Sequence, residues 1–318
     1  MKILVLQKAE IVADQRALIE TVLSELDGAA VALASSPAAA AEHADAQILI
    51  TPTFSWLPNA LRGLPHVEWI HFLSAGVDRI WSMDVEWSRY RLSKSVGVHA
   101  STISEYVLGA ILYVLKGFGT FARQQQRHEW RRFWLDESEG KTLGIVGVGT
   151  IGTRLAQHAK ALGMRVIGTV TSPRDIPNVD VVYGMDDLER VLEASDFIVL
   201  LVPLTDETRG LVGADALQAM KNEAWLINVA RGEVLDERAL EAALEAGTIG
   251  GAVLDVFEEE PLSASSPLWN FENVLITPHV AGTTQHYMPR ALDVFKDNYR
   301  EFVRGNALCT PVSVEKGY

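Results

Sequence analysis

The chain has 318 residues, a length that suits two domains of ordinary size. Its 41 Asp and Glu against 28 Lys and Arg leave a net charge of −13, which disfavours nucleic acid and anionic membrane surfaces as partners. A single cysteine, Cys309, rules out an intramolecular disulfide and a cysteine metal cluster, and it suits a reducing, cytoplasmic setting.

The N-terminus reads MKILVLQ and then turns polar, which is a strand and not the longer apolar stretch of a signal peptide. No apolar run approaches the ~18 residues of a transmembrane helix, so no membrane partner is expected. Ile3–Leu6, Val31–Ala34, Ile48–Ile50 and Val67–Phe72 read as strands. Between the first two, Val12, Leu18, Ile19, Val22 and Leu23 fall on one face of a helix over 12–26. Strands alternating with helices point to a parallel sheet covered on both faces.

One long helical stretch is expected from about Ser101 to Arg127, and a second alternating series follows. Its six strands are Thr142–Val146, Arg165–Val170, Phe197–Val202, Trp225–Val229, Gly251–Val256 and Val274–Ile276. Helical segments at Thr153–Leu162, Asp187–Ala194, Asp215–Ala219 and Glu237–Ala246 separate them, with Gly163 and Gly247 at C-cap positions. A last helical pattern, Ala291, Val294, Phe295, Tyr299 and Phe302, suits a crossing back to the first domain. The expected fold is α/β, with two Rossmann-like or flavodoxin-like domains of parallel strands and a cleft between them. Residues 1–100 completed by 287–318 form the first domain, and residues 101–286 form a dinucleotide-binding domain.

The apolar strand before residue 147 runs directly into Gly147-Val148-Gly149-Thr150-Ile151-Gly152, and a helical pattern follows at once. In a G-x-G-x-x-G the first glycine makes the tight turn. The second lets a pyrophosphate approach the backbone, and the third lets the helix pack on the strand. The helix N-terminus then offers N–H groups to the phosphates. From the glycines alone, a methyltransferase loop is also compatible. The next strand ends at Val170, where an NAD-specific site usually carries an acid, and Thr171, Ser172 and Arg174 follow. Two hydroxyls and a guanidinium suit a 2′-phosphate, so NADP is favoured over NAD.

Three polar residues stand just beyond apolar strands: Arg231, Glu260 and His279. Singly, each has an ordinary explanation as a surface Arg, one of a run of solvated acids, or a capping His. Ligands of open parallel sheets bind outside the carboxyl ends of the strands, so the three can converge on one crevice. Together they suit hydride transfer to a 2-oxo acid, with His279 as acid/base, Glu260 as its charge partner and Arg231 as the clamp on carboxylate and carbonyl. His99, His158 and His286 lack spaced ligand partners, and no metal site is expected. Trp130 and Trp134 read as packing residues. Phe54 and Trp56, after the third strand, are candidates for touching the substrate or for packing on their own sheet.

The stretches Ser74-Ala75-Gly76-Val77-Asp78, Gly144–Gly152, Val202-Pro203-Leu204-Thr205, Asn228–Gly232, Leu254–Leu262 and Thr277-Pro278-His279 resemble the D-isomer-specific 2-hydroxyacid dehydrogenase family. The segment Val253–Gly282 is most similar to its glyoxylate/hydroxypyruvate reductase branch. The resemblance implies catalytic Arg231, Glu260 and His279, with the backbone of Ala75 and Gly76 binding the substrate carboxylate beside Arg231. It places Gly147, Gly149, Thr150, Ile151, Gly152, Thr171, Ser172, Arg174, Val202, Val229, Asp255, His279 and Gly282 on the cofactor, with Asp255 accepting from the nicotinamide amide. It also implies a discontinuous first domain and a homodimer in which an aromatic of the neighbouring subunit can close the pocket. Glu260, where formate dehydrogenases have Gln, argues against formate. A redox sensor or corepressor of the same fold is the rival, and the complete Arg, Glu and His set argues against it.

Overall fold

A strand covered on both faces needs apolar side chains on both, and this turns the short apolar runs into buried parallel strands. The structure, a computed structural model, describes residues 1–314. It divides into two compact units: Met1–His99 together with the chain from Thr284 on, and Ala100–Thr283.

The first unit begins with β1 (Lys2–Leu6), α1 (Ala9–Ser24), β2 (Ala30–Ala34), α2 (Pro37–Ala41), β3 (Ile48–Thr51), α3 (Leu57–Arg62), β4 (Trp69–Phe72) and β5 (Arg91–Lys94). Its five strands are parallel in the order β2-β1-β3-β4-β5, the flavodoxin-like arrangement. The strand β5 lies outside the apolar pattern: RLSK occupies a sheet edge and has no two-sided apolar run. Helix α1 buries Val12, Ile19 and Leu23, whereas Leu18, expected on the same face, is 36% exposed.

The second unit opens with α4 (Ala100–Leu115) and α5 (Phe118–Gln126). The single long helix expected here is broken at Gly117, which takes a left-handed φ of +59° and bends the pair by 63°. Among the described residues no single helix is long and apolar enough to cross a membrane. Then come β6 (Thr142–Val146), α6 (Thr150–Ala161), β7 (Arg165–Val170), β8 (Val181–Gly184), α7 (Leu188–Ala194), β9 (Phe197–Leu200), α8 (Ala214–Ala219), β10 (Trp225–Asn228), α9 (Glu237–Ala246), β11 (Gly251–Leu254) and β12 (Val274–Ile276). The sheet has seven parallel strands, not six, in the order β12-β11-β10-β9-β6-β7-β8. The added strand β8 is a half-exposed edge of only VVYG, too short to stand out from a turn. Helix α9 starts where Asp236 accepts from the Ala239 N–H and ends at Gly247 in the left-handed region, so local capping sets its length.

After the second unit the chain forms α10 (Tyr287–Val303), which belongs to the first. It lays Met288, Ala291, Leu292, Phe295 and Tyr299 into the core with Ile3, Val5, Ile48, Ile50 and Trp69. The Trp69 ring stacks on both Phe295 and Phe302.

Candidate active site

Strands β10, β11 and β12 are adjacent and parallel, so the residues leaving their carboxyl ends emerge along one edge of the sheet. Arg231 follows β10, Asp255 and Glu260 follow β11, and His279 follows β12. The segments carrying Arg231 and Glu260 are brought together by Gly232. A Cβ there would overlap the backbone of Phe257 and Glu258, so only glycine permits the approach. Asn228 is fully buried and braces the same turn: its side-chain amide donates to the Arg231 carbonyl at 3.0 Å and accepts from the Ala230 N–H at 3.1 Å. The Arg231 guanidinium donates to the Ala230 carbonyl at 2.7 Å.

His279 and Glu260 are in direct contact. His279 Nδ1 lies 2.8 Å and 3.1 Å from the two carboxylate oxygens of Glu260, and Glu260 also accepts from the Phe257 N–H at 3.3 Å. A carboxylate accepts, so Nδ1 carries a proton, and Nε2 is the nitrogen left to exchange one with a ligand. The His279 side chain is 46% exposed against 25% for Glu260, so the imidazole is within reach of a small molecule.

The glycines of the fingerprint loop differ in their surroundings. Gly147 turns at φ +95° against Val202 and Leu201, and a Cβ at Gly149 would meet nothing within 4 Å. The N-terminus of α6, with Thr150, Ile151 and Gly152 in its first turn, faces that open side. The first N–H groups of a helix lack intrahelical partners, so this loop fits a dinucleotide pyrophosphate. At the end of β7, Val170 is buried in the core while Thr171, Ser172 and Arg174 are exposed. Val202 and Val229 are buried, and Gly282 is partly exposed beyond His279. Asp255 is 1% exposed and accepts from Thr277, Val280 and Ala281, residues on both sides of His279.

In the first unit Ala75 and Gly76 are half-buried in the loop after β4. Phe54 and Trp56 stack on each other at 4.5 Å and pack against their own core. Trp130 and Trp134, expected to be packed, are 97% and 100% exposed on an irregular segment. No cluster of His, Cys, Asp or Glu able to hold a metal ion occurs among the described residues. In the sequence, Asn228 and Gly232 stand out only as parts of a motif, and Tyr106 does not stand out at all. An amide that ends an apolar strand was the available sign for Asn228. Nothing marked Tyr106, whose partner Thr277 is 171 positions away.

A sequence profile described as D-isomer specific 2-hydroxyacid dehydrogenase, NAD binding domain, matches residues 108–281. The chain is 34% identical to a glycerate dehydrogenase of Methylorubrum extorquens, over 78% of this chain and 79% of that one. It is 32% identical to a glyoxylate reductase of Korarchaeum cryptofilum, over 76% and 74% of the two chains. In structure it is similar to an NADPH-dependent glyoxylate/hydroxypyruvate reductase of Sinorhizobium meliloti, solved with NADP and sulfate. The TM-score is 0.86 at 28% identity, covering 100% of this chain and 99% of the other. The profile spans more than half of the chain, and the curated relatives align over more than two thirds of it. The chain therefore belongs to the D-isomer specific 2-hydroxyacid dehydrogenase family, oxidoreductases that interconvert 2-oxo acids and D-2-hydroxy acids with NAD(P).

Proposed function

We propose that the protein reduces a small 2-oxo acid of the glyoxylate or hydroxypyruvate kind to the D-2-hydroxy acid, with NADPH preferred to NADH. The observation that carries this reading is the Glu260–His279 pair, at 2.8 Å, beyond β11 and β12 of the sheet in which Arg231 follows β10. When bound, the dinucleotide supplies the hydride. The first-turn N–H groups of α6 and the open side of Gly149 hold its pyrophosphate, while Thr171, Ser172 and Arg174 address the 2′ position. Arg231 grips the substrate carboxylate and polarises the carbonyl. His279 delivers the proton from Nε2 to the carbonyl oxygen as its bond order falls, and Glu260 stabilises the imidazolium.

We further infer a homodimer. Trp130 and Trp134 stand out into solvent. The same unit carries a cavity of about 520 Å³ lined by Tyr113, Trp225, Trp269 and Phe271. Large exposed aromatic side chains and an aromatic-lined hollow in one unit suit an isologous contact between two copies. The single exposed Cys309 fits a cytoplasmic enzyme.

The decisive experiment is a panel of 2-oxo acids assayed with NADPH and NADH. Turnover of glyoxylate or hydroxypyruvate, faster per unit KM with NADPH, is the expected result. Exclusive turnover of a bulky 2-oxo acid would overturn the substrate assignment, and binding of dinucleotide without turnover of any would favour a sensor.

A further inference from the structure

His279 holds a φ of +53°, a left-handed conformation that a residue with a side chain keeps only when its surroundings fix it. Here Asp255 does the fixing. Its Oδ1 accepts the Thr277 hydroxyl at 2.6 Å and the Val280 N–H at 2.8 Å, and its Oδ2 accepts the Ala281 N–H at 2.8 Å. Its backbone carbonyl accepts the His279 N–H at 2.8 Å. One buried aspartate thus grips the acid/base loop before, at and after the histidine.

A further connection comes from α4. The Tyr106 hydroxyl lies 2.6 Å from Thr277 Oγ1. Counting protons gives the direction. Thr277 has one hydroxyl proton, and it goes to Asp255, which as a carboxylate only accepts. Tyr106 is therefore the donor to Thr277. Burial holds the Tyr106 phenol above its usual value, so it keeps the proton that it donates.

We propose that Tyr106 is a positioning residue for the reaction: by donating to Thr277 it commits the threonine proton to Asp255, which clamps the loop carrying His279. The chain Tyr106 to Thr277 to Asp255 runs head to tail, so each bond polarises and strengthens the next. The assignment rests on His279 as the acid/base. It adds a residue of α4 that neither reacts nor meets the substrate.

The test is a mutant cycle read in two ways. Tyr106→Phe is expected to lower kcat by ~3–10-fold, with KM for the 2-oxo acid changed less than ~2-fold. Thr277→Val, which removes both bonds, is expected to lower kcat further, and Thr277→Ser to keep most of it. The double variant should be no worse than Thr277→Val alone, because the path is already cut. The second readout is amide hydrogen exchange of the protein without cofactor or substrate. Exchange at Val280 and Ala281 should quicken at least ~5-fold in Tyr106→Phe and Thr277→Val, recover in Thr277→Ser, and stay unchanged in β6. Wild-type exchange at those two amides in Tyr106→Phe, or additive losses of kcat in the double variant, overturns the proposal. If the wild type reduces no 2-oxo acid but the exchange pattern appears, the clamp stands and the proposed function falls.

Discussion

At the scale of single residues the chemistry rests on which proton sits on which atom. With Nδ1 engaged by Glu260, Nε2 of His279 is the nitrogen to which the proposed function assigns donation to a carbonyl oxygen. His279→Ala should therefore lower kcat by ~10²–10⁴ while dinucleotide affinity stays nearly intact, as measured by titration and steady-state kinetics. Glu260→Gln keeps the shape but withdraws the negative charge that favours imidazolium. Reduction needs the protonated ring, so the kcat/KM profile for reduction should fall away at lower pH than in wild type. An unmoved profile would remove Glu260 as the charge partner. The positions of these residues were legible in the sequence because each side chain follows an apolar strand. The Asn228 brace and the Tyr106 contact were not, because they depend on which polar groups burial leaves to be satisfied.

At the scale of elements, the site depends on how closely the segments beyond β10 and β11 approach. Gly232 permits that approach with no room for a methyl group. Gly232→Ala must part the two segments, and it should lower kcat/KM at least ~10-fold and depress Tm, with a circular dichroism melt separating the two effects. The proposed preference for NADPH rests on the turn after β7. Val170 stands where an NAD-specific acid would be expected, but its side chain is buried in the core, and an aspartate there would mix lost stability with altered specificity. Arg174 is exposed and gives the cleaner test. Arg174→Ala should cost ~10–100-fold in kcat/KM with NADPH and little with NADH. Equal losses with both cofactors would mean that the 2′ position is read elsewhere. Among the elements, the internal strands were the most legible, since both of their faces are buried. The edge strands β5 and β8 lack that signal, and the break at Gly117 is hidden within a continuous apolar pattern.

At the scale of the whole molecule, acid stability has an identifiable contributor in His71. It is fully buried in β4, with Nδ1 at 2.8 Å from the Ser93 hydroxyl and Nε2 at 3.1 Å from that of Ser95. The rings of Trp69 and Phe295 flank it. Burial lowers its pKa to about 3, so the folded chain keeps the ring neutral while an unfolded chain binds a proton near pH ~6.5. The unfolded state then holds more protons, and stability from this group falls as pH drops from ~6.5 toward 3, by up to ~1.4 kcal/mol per pH unit. Urea melts of wild type and His71→Asn between pH 7 and pH 4 check this: the variant is expected to be less stable at pH 7 but to have a flatter slope. Identical slopes would remove His71 as the cause.

The α/β class, the interior strands, the glycine loop and the strand-end positions of Arg231, Glu260 and His279 could be read from the sequence. Each is written locally, in unbroken apolar runs, in glycines at fixed offsets and in polar residues placed just beyond strands. The edge strands β5 and β8, the Asp255 clamp on His279, the exposure of Trp130 and Trp134 and the neutral His71 emerge only from tertiary structure. The physical reason is that hydrogen-bond satisfaction and desolvation depend on neighbours in space, and those neighbours come from distant parts of the chain, as Tyr106 and Thr277 do.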